Sequence, residues 1–361
     1  WRQRGRDLLG CCGNWSFLMV TALVTSWALH GFDLVLAAEV DGFRGGHVPT
    51  WLTTIASWRL PAPLAGVLCQ YLHNQAGHRA FLLGQVSVSG WWYYFPCVFV
   101  FKSTPSELLL GGVMVLGGLT TCWRGLSEWN RGAAVASLFW RDRDVTRWVW
   151  WLALLLYLAL IGNARVQIGQ RYLLVLYPLI VMLGIDELAR WGRCRSLRCG
   201  LAMTVLLGLQ IWNGLSIGPH YLAYFAPWVG GPGAGSQLLG DSNLDWGQDL
   251  PALRAKLAEK GFQKVALSYF GTADPAAYGV RARAVNQLSV TELLGCDCLA
   301  VSVNHLSGLY PLEGPLRVLP DLVPVSRAGF SILLFDLRRR DLRDRLEALR
   351  SIPVRRAAVG P

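Results

Sequence analysis

Gln237–Leu250, QLLGDSNLDWGQDL, divides the chain into an apolar part before it and a soluble-looking part after it. Asp241, Asp245 and Asp249 recur at spacings of four, with Asn243, Trp246 and Gln248 between them. A short apolar run leads in and a helix-like stretch leads out, so the segment reads as a strand end followed by a polar turn. Asp, Ser and Asn suit such a turn because their side chains bond nearby backbone N–H groups. An aromatic ring among carboxylates and amides is also how proteins hold sugars, with the ring on the apolar face and acceptors at the hydroxyls. Asp241, Asn243, Asp245, Trp246 and Asp249 are therefore candidate sugar or acceptor contacts, beside the plainer reading of a capped turn around one buried Trp.

Outward from this stretch, composition decides the class. The 361 residues are 53% hydrophobic and 16% charged, with 17 Trp and a mean hydropathy of +0.34, which is more apolar than an ordinary soluble chain. The net charge of +11 comes mostly from arginines at the ends of apolar runs. No basic stripe interleaved with base-stacking aromatics is present, which excludes a nucleic-acid binder. The nine cysteines form no CxxC and no Cys/His array with zinc spacing, so no metal site is expected and core thiols are the reading. The sequon Asn14-Trp15-Ser16 falls at the inner end of the first apolar run, where no glycan is expected.

The expected fold is an α-helical polytopic membrane bundle of about five spans over residues 1–217, followed by a small extracytoplasmic α/β domain over 218–361. The five runs are Trp15–Val40, a span within Trp92–Cys122, Trp148–Gly162, Tyr172–Ala189 and Gly200–Ile217, near the roughly 20 residues that cross a bilayer. Lys102 and Pro105 interrupt the second. Arg2, Arg4 and Arg6, then Arg124, Arg131, Arg141, Arg143 and Arg147, then Arg190, Arg193, Arg195 and Arg198 all fall on one side of an alternating five-span chain. That side is the cytoplasm by the positive-inside rule. The other side then carries a loop at 41–91, the Asn163–Arg171 connection and everything after Ile217.

On that outer side, His78, Trp91 and Trp92 belong to a belt of rings suited to the headgroup level. Lys102 is a cation at membrane depth, which either snorkels or meets an anion such as a lipid phosphate. Arg171 and Tyr172 open the fourth run, and a guanidinium there is shaped for bidentate phosphate binding or simple anchoring. Beyond the Gly/Pro-rich 230–235 connection, Leu250–Lys260 has helical spacing, while Lys264–Tyr269, Cys298–Val303 and Ser331–Phe335 are strand-length runs. Asp274 before Pro275 follows a strand end, where α/β sheets gather ligands, and is equally an ordinary turn-former. No GxGxxG or GxxxxGK[ST] sits between a strand and a helix. The tail from Arg338 to Arg356 reads as a basic amphipathic helix, on headgroups or in solvent.

Several stretches resemble a known family. They are Leu60-Pro61-Ala62-Pro63, Gly77-His78, Phe81-Leu82-Leu83-Gly84, Gly90 to Pro96 with Lys102, Ile168 to Tyr172, Tyr177-Pro178, Pro219-His220-Tyr221-Leu222-Ala223-Tyr224-Phe225, Gly230-Gly231-Pro232, Asp241 to Leu250, and Tyr269 to Pro275. In order and together they resemble bacterial phospholipid carrier-dependent membrane glycosyltransferases of the GT-C fold, relatives of the dolichyl-phosphate-mannose protein mannosyltransferases. The resemblance implies a multi-pass plasma-membrane enzyme. It would move a sugar from a polyprenyl-phosphate donor to a glycan, protein or lipid hydroxyl on the outer face, with an acidic base on the first outer loop and cations at the leaving phosphate. By position, Lys102, Arg171 and Tyr172 are its lipid-phosphate contacts. Family members have more spans and carry the acidic motif in an N-terminal half that has no match here. The catalytic base is therefore unassigned, with Asp33, Glu39 and Asp41 near the first outer loop, and the chain is expected to lack that half. A noncatalytic, membrane-anchored glycan-binding protein is the alternative. A transporter piece is the third reading, against which stands the lack of an internal repeat.

Overall fold

The computed structural model describes residues 2–41, 43, 48–129, 142–191, 197–310, 312 and 314–349. The chain divides into two compact units, Trp1–His78 and Arg79–Pro361. In the first, helix α1 (Arg2–Leu29) leads to strand β1 (Leu34–Leu36), a single turn α2 (Thr50–Thr53), strand β2 (Arg59–Pro61) and helix α3 (Ala62–Ala76). β1 and β2 pair antiparallel, with Val35 opposite Leu60. Pro63 falls in the first turn of α3, where no backbone N–H is required, and Gly77 follows the last turn. Ala65, Leu68 and Leu72 form one buried stripe of α3 against Ala37, Val40 and Leu52.

The second unit opens on a hairpin of β3 (Ala80–Leu82) and β4 (Gln85–Ser87), turned by Leu83 and Gly84, both at positive φ. The stretch 41–91, expected as a loop, thus holds β2, α3 and this hairpin; Gly42 and Arg44 lie outside the described residues. Then come α4 (Tyr94–Lys102) and α5 (Pro105–Trp129). The break between them has a direct cause. Pro105 has no N–H to offer the Phe101 carbonyl, which accepts instead from Ala226 N at 2.8 Å. Thr104 and Glu107 restart the helix, with Thr104 N donating to Glu107 Oε2 at 2.7 Å and Glu107 N to Thr104 Oγ1 at 3.4 Å. Helices α6 (Asp142–Gly162), α7 (Leu176–Trp191) and α8 (Leu197–Ile217) follow.

The five-span bundle is not what these helices form. Among the described residues, only Pro105–Trp123 in α5 and Gly200–Ile217 in α8 are long and apolar enough to cross a membrane. The apolar parts of α1 and α6, Ser16–Leu29 and Thr146–Gly162, are shorter. α7 has 16 residues, carries Asp186, Glu187 and Arg190, and turns Leu176, Leu179, Ile180 and Leu183 into protein. One face of its apolar residues serves a core while Met182, Ile185 and Trp191 stay exposed, a split that a run of hydrophobic letters does not show. Arg147, read as a loop charge, is 6% exposed within α6 and ion-paired with Glu187 of α7, with Asp186 Oδ2 at 3.6 Å. Arg131, Arg141, Arg193 and Arg195 lie outside the described residues.

The rest of the unit is an α/β layer. Its elements are α9 (Gly231–Leu238), α10 (Leu250–Lys260), β5 (Val265–Ser268), β6 (Ala282–Ala284), α11 (Val290–Leu294), β7 (Cys298–Ser302), β8 (Ser326–Ala328), β9 (Ile332–Asp336) and α12 (Arg340–Ala348). The sheet order is β6-β5-β7-β9-β8; β5 is parallel to β6 and β7, and β9 is antiparallel to β7 and β8. Strand periodicity sorts the core. Val265, Leu267, Cys298 and Ala300 face Leu250, Leu253 and Leu257 of α10, whereas Ala266, Leu299 and Val301 face Leu342 and Leu346 of α12. The basic C-terminal helix therefore spends its apolar stripe on the sheet, not on headgroups; Arg350, Arg355 and Arg356 lie outside the described residues. A third core joins Tyr94, Phe95 and Val98 of α4 to Leu154, Leu176, Ile180, Phe225, Leu244 and Val303, so helices and layer share one interior.

Candidate functional site

The Gly240–Asp249 segment lies between these two parts. Asp241 has a left-handed backbone (φ 58°), and its N–H donates to Asn304 Oδ1 at 2.9 Å. Its own Oδ1 accepts from Ser242 N at 2.6 Å, which closes the turn. Asn304, 1% exposed just beyond β7, also donates from Nδ2 to Asp245 O at 3.2 Å. One amide thus ties both ends of the turn to the carboxyl end of the sheet.

Asn243 is buried and fully used. Its Oδ1 accepts from Gln170 N at 3.0 Å, and its Nδ2 donates to Gly240 O at 2.9 Å. Gly169 makes this approach possible: it sits at φ +112°, and a side chain there would run into the Asn243 amide. Lys102 lies on the far side. The residue is 3% exposed, and its Nζ donates to Leu222 O and Asn243 O, each at 2.7 Å, with the Phe225 ring centroid 4.4 Å away. Burial pushes the ammonium down to about 7. Lys102 is thus a stitch between two backbone segments, its ammonium taken up by two carbonyls and a ring.

Arg171 behaves differently. It is exposed, hydrogen-bonds Ser242 Oγ through Nη2, and lies 4.9 Å from the centroid of the Trp246 ring, itself 58% exposed. Ser242 Oγ in turn donates to Ile168 O at 2.8 Å, so the guanidinium is held at one end and stacked at the other. Tyr172 serves packing: its ring meets Phe95 edge-on at 5.9 Å and its carbonyl accepts from Tyr157 OH at 2.7 Å.

The remaining two aspartates point inward. Asp245 is 0% exposed; Oδ1 accepts from Gly247 N at 3.0 Å, and Oδ2 has no hydrogen-bond partner. Burial, reinforced by the Asp249 charge, raises its carboxyl to about 7. Asp249, 1% exposed, is saturated. Its Oδ2 accepts from Phe330 N at 2.9 Å, Ser331 N at 3.0 Å and Ser331 Oγ at 2.9 Å, and its Oδ1 lies 3.1 Å from His220 Nδ1. The β8–β9 turn wraps it so closely that Gly329, at φ +54°, leaves no room for a side chain beside the carboxylate.

Other expected residues stand apart from this group. Asp274 is exposed and caps the Pro275–Tyr278 turn, with Oδ1 accepting from Ala276 N at 2.9 Å. Trp91 stacks on Tyr94 at 6.5 Å and is clamped through its backbone by Gln167, which accepts from Trp91 N at 2.9 Å and donates to Trp91 O at 2.7 Å. Trp92 is 79% exposed. His78 belongs to the first unit, 5.8 Å from the His73 ring. Gln167, Asn304 and His305 were not singled out from the sequence, and His220 was quoted in the 219–225 stretch without a role. Each follows or precedes an apolar run, and only tertiary pairing marks it out. His305 Nδ1 lies 2.7 Å from Ser268 Oγ at the ends of β7 and β5, with Phe270 and Tyr310 around the ring.

No protein-family profile, curated protein or solved structure matches this chain.

Proposed function

We propose that this chain transfers a sugar from a polyprenyl-phosphate donor to an acceptor hydroxyl at the outer face of a bacterial plasma membrane. The observation that carries the reading is the Arg171–Trp246 pair: an exposed guanidinium, fixed by Ser242, laid over an exposed indole. A sugar phosphate presents the two features such a pair takes, an anion for the fork of N–H donors and an apolar ring face for the indole. The ordered motifs of the sequence support the same chemistry. α5 and α8 supply two stretches able to hold the site beside a lipid. On this reading Arg171 takes the phosphate and Trp246 the sugar. Asn243, Asp249 and Lys102 hold the loop, and metal plays no assigned part.

The test uses the full chain in lipid nanodiscs with radiolabelled polyprenyl-phosphate sugars. Transfer or donor binding that falls at least tenfold in Arg171→Ala supports the reading. Donor binding that ignores the substitution sinks it. A second reading, glycan holding without chemistry, rests on the exposed Trp246 ring; it predicts sugar-dependent thermal stabilisation, lost in Trp246→Ala, with no affinity for polyprenyl phosphate.

A further inference from the structure

The first unit turns apolar side chains outward as well as inward. In α1, Phe17, Leu18, Met19 and Val20 follow one another round the helix, and each is more than half exposed. A helix apolar on every side belongs inside protein or lipid, and among the described residues of its unit nothing covers this one. In α3 the apolar surface is wider than the core it serves. Ala65, Leu68 and Leu72 make the buried stripe, and Leu64, Val67 and Tyr71, at helical spacing along its edge, are exposed. Trp51 of α2 widens this second stripe: its ring lies 6.1 Å from that of Tyr71 and is 61% exposed.

We propose that this second stripe of α3 is a membrane-contact face: the helix lies in the headgroup layer of a bilayer, with Leu64, Val67, Tyr71 and Trp51 turned to the upper acyl chains. Its starting point fits that level. The Asp33 carbonyl accepts from Trp27 Nε1 at 2.8 Å and from Ala62 N at 3.1 Å, so α3 begins where the apolar run Ser16–Leu29 of α1 stops. A helix fastened there lies where hydrocarbon gives way to water, and an apolar stripe holds it flat. The residue types fit as well. Trp and Tyr set an apolar ring face and a polar edge at that boundary, and aliphatic side chains between them reach deeper.

Charge and size name lipid over a protein partner. Ala62–Ala76 contains no Asp, Glu, Lys or Arg, and Gln70, His73 and Asn74 form its polar side. The helix therefore offers nothing that recognises a charged surface, whereas a neutral lipid layer asks only for apolar contact. Four side chains also fall far short of the roughly 20–30 residues a side of a stable protein interface. Such contact would anchor the first unit whether or not the chain transfers a sugar.

The full chain, at one copy per phosphatidylcholine nanodisc, gives two readouts. Hydroxyl-radical footprinting with peptide mass spectrometry compares Tyr71 with Tyr278 of the α/β layer, whose exposures of 37% and 45% are similar. In the disc Tyr71 should be oxidised about fivefold more slowly, since only its side of the chain would be out of water. A phosphatidylcholine with a diazirine on its upper acyl carbons should, on irradiation, label Leu64, Val67 and Tyr71 but not His73 across the helix. Val67→Asp, at an exposed position that leaves the buried stripe intact, should keep the melting temperature and raise Tyr71 oxidation severalfold. Equal oxidation of the two tyrosines overturns the proposal. Protection without lipid labelling overturns it too, since another part of the chain would then cover the face. So does protection confined to discs that hold two copies, which makes the occupant a second copy, or to discs with anionic lipid, which makes the attraction one of charge.

Discussion

The two ends of one loop use the same residue types in opposite ways. At the Asp241–Ser242 end, the half-buried Ser242 hydroxyl holds an exposed Arg171 that lies over an exposed Trp246. At the Asp245–Asp249 end, two carboxylates face inward, one with an empty oxygen and one with four contacts. The difference lies in what surrounds them. Asp249 meets the N–H groups of the β8–β9 turn, whereas half-buried Ser242 bonds the 168–171 segment and the Trp246 ring is exposed. A carboxylate in the first setting builds structure, and the cation in the second stays at the surface, on one hydroxyl and one ring.

The contrast breaks most visibly at Asp249. Asp249→Ala removes the acceptor for two backbone N–H groups and one hydroxyl in a buried turn, and each unsatisfied donor costs ~1–3 kcal/mol. The expected loss of stability is on the order of 4 kcal/mol, read from chemical denaturation in detergent micelles. Hydrogen exchange at Phe330 and Ser331 should rise with it. A loss under about 1 kcal/mol, within the range of an ordinary surface change, would mean that the turn does not depend on this carboxylate.

The next test sharpens the inward end by pH. Asp245 is raised from 3.8 to about 7, chiefly by burial, so the folded chain keeps a proton that the unfolded chain has released. Its contribution is present below about 4 and lost as pH rises toward 7. Lys102 is lowered from 10.5 to about 7, also by burial, so the unfolded chain binds the extra proton. That contribution is present above about 10 and lost as pH falls toward 7. Stability should therefore pass through a minimum near neutral pH. Asp245→Asn should flatten the acid limb and Lys102→Met the alkaline limb. A profile that peaks at neutral pH would contradict both assignments.

At the outward end the effect belongs to binding. Arg171→Ala should weaken polyprenyl phosphate binding about tenfold, or ~1.4 kcal/mol, with no change in melting temperature. Arg171→Lys should fall between, because an ammonium keeps the charge but neither the fork nor the flat stack on Trp246. A shift in melting temperature without a change in affinity would make Arg171 another structural contact, and the contrast between the two ends would disappear.

How much of this was legible in the letters depends on the kind of signal. The strands at 265–268, 298–302 and 332–336 and the helix at 250–260 follow from apolar pattern, and their boundaries moved by a residue or so. β6 and β8 were not legible: at three residues each, on the sheet edges, with Arg283 and Arg327 at their centres, they carry no periodic signal. The membrane bundle was over-read because α7 is apolar in its letters but short, charged at its end and buried along one face, and because Arg147 looked like a loop charge until Glu187 came beside it. In the loop, residue types announced a polar turn but not which aspartate turned in. Asn304 and His220 supply that information from other parts of the sequence; no local pattern points to Asn304, and the 219–225 stretch names His220 without its partner.

Asp274 provides the smallest effect and a control for the rest. It shares residue type, strand-end position and exposure with a binding group, yet its Oδ1 is spent on Ala276 N at the start of the Pro275–Tyr278 turn. Asp274→Ala should therefore cost about 0.5–1 kcal/mol, the worth of a cap, and leave polyprenyl phosphate and sugar binding untouched. Asp274→Ser, which restores an acceptor of similar reach, should recover most of that loss. If instead Asp274→Ala weakened sugar binding while stability held, the ligand surface would have to extend from Trp246 to the carboxyl end of β5. An exposed guanidinium over an exposed indole would then no longer mark off the proposed ligand surface.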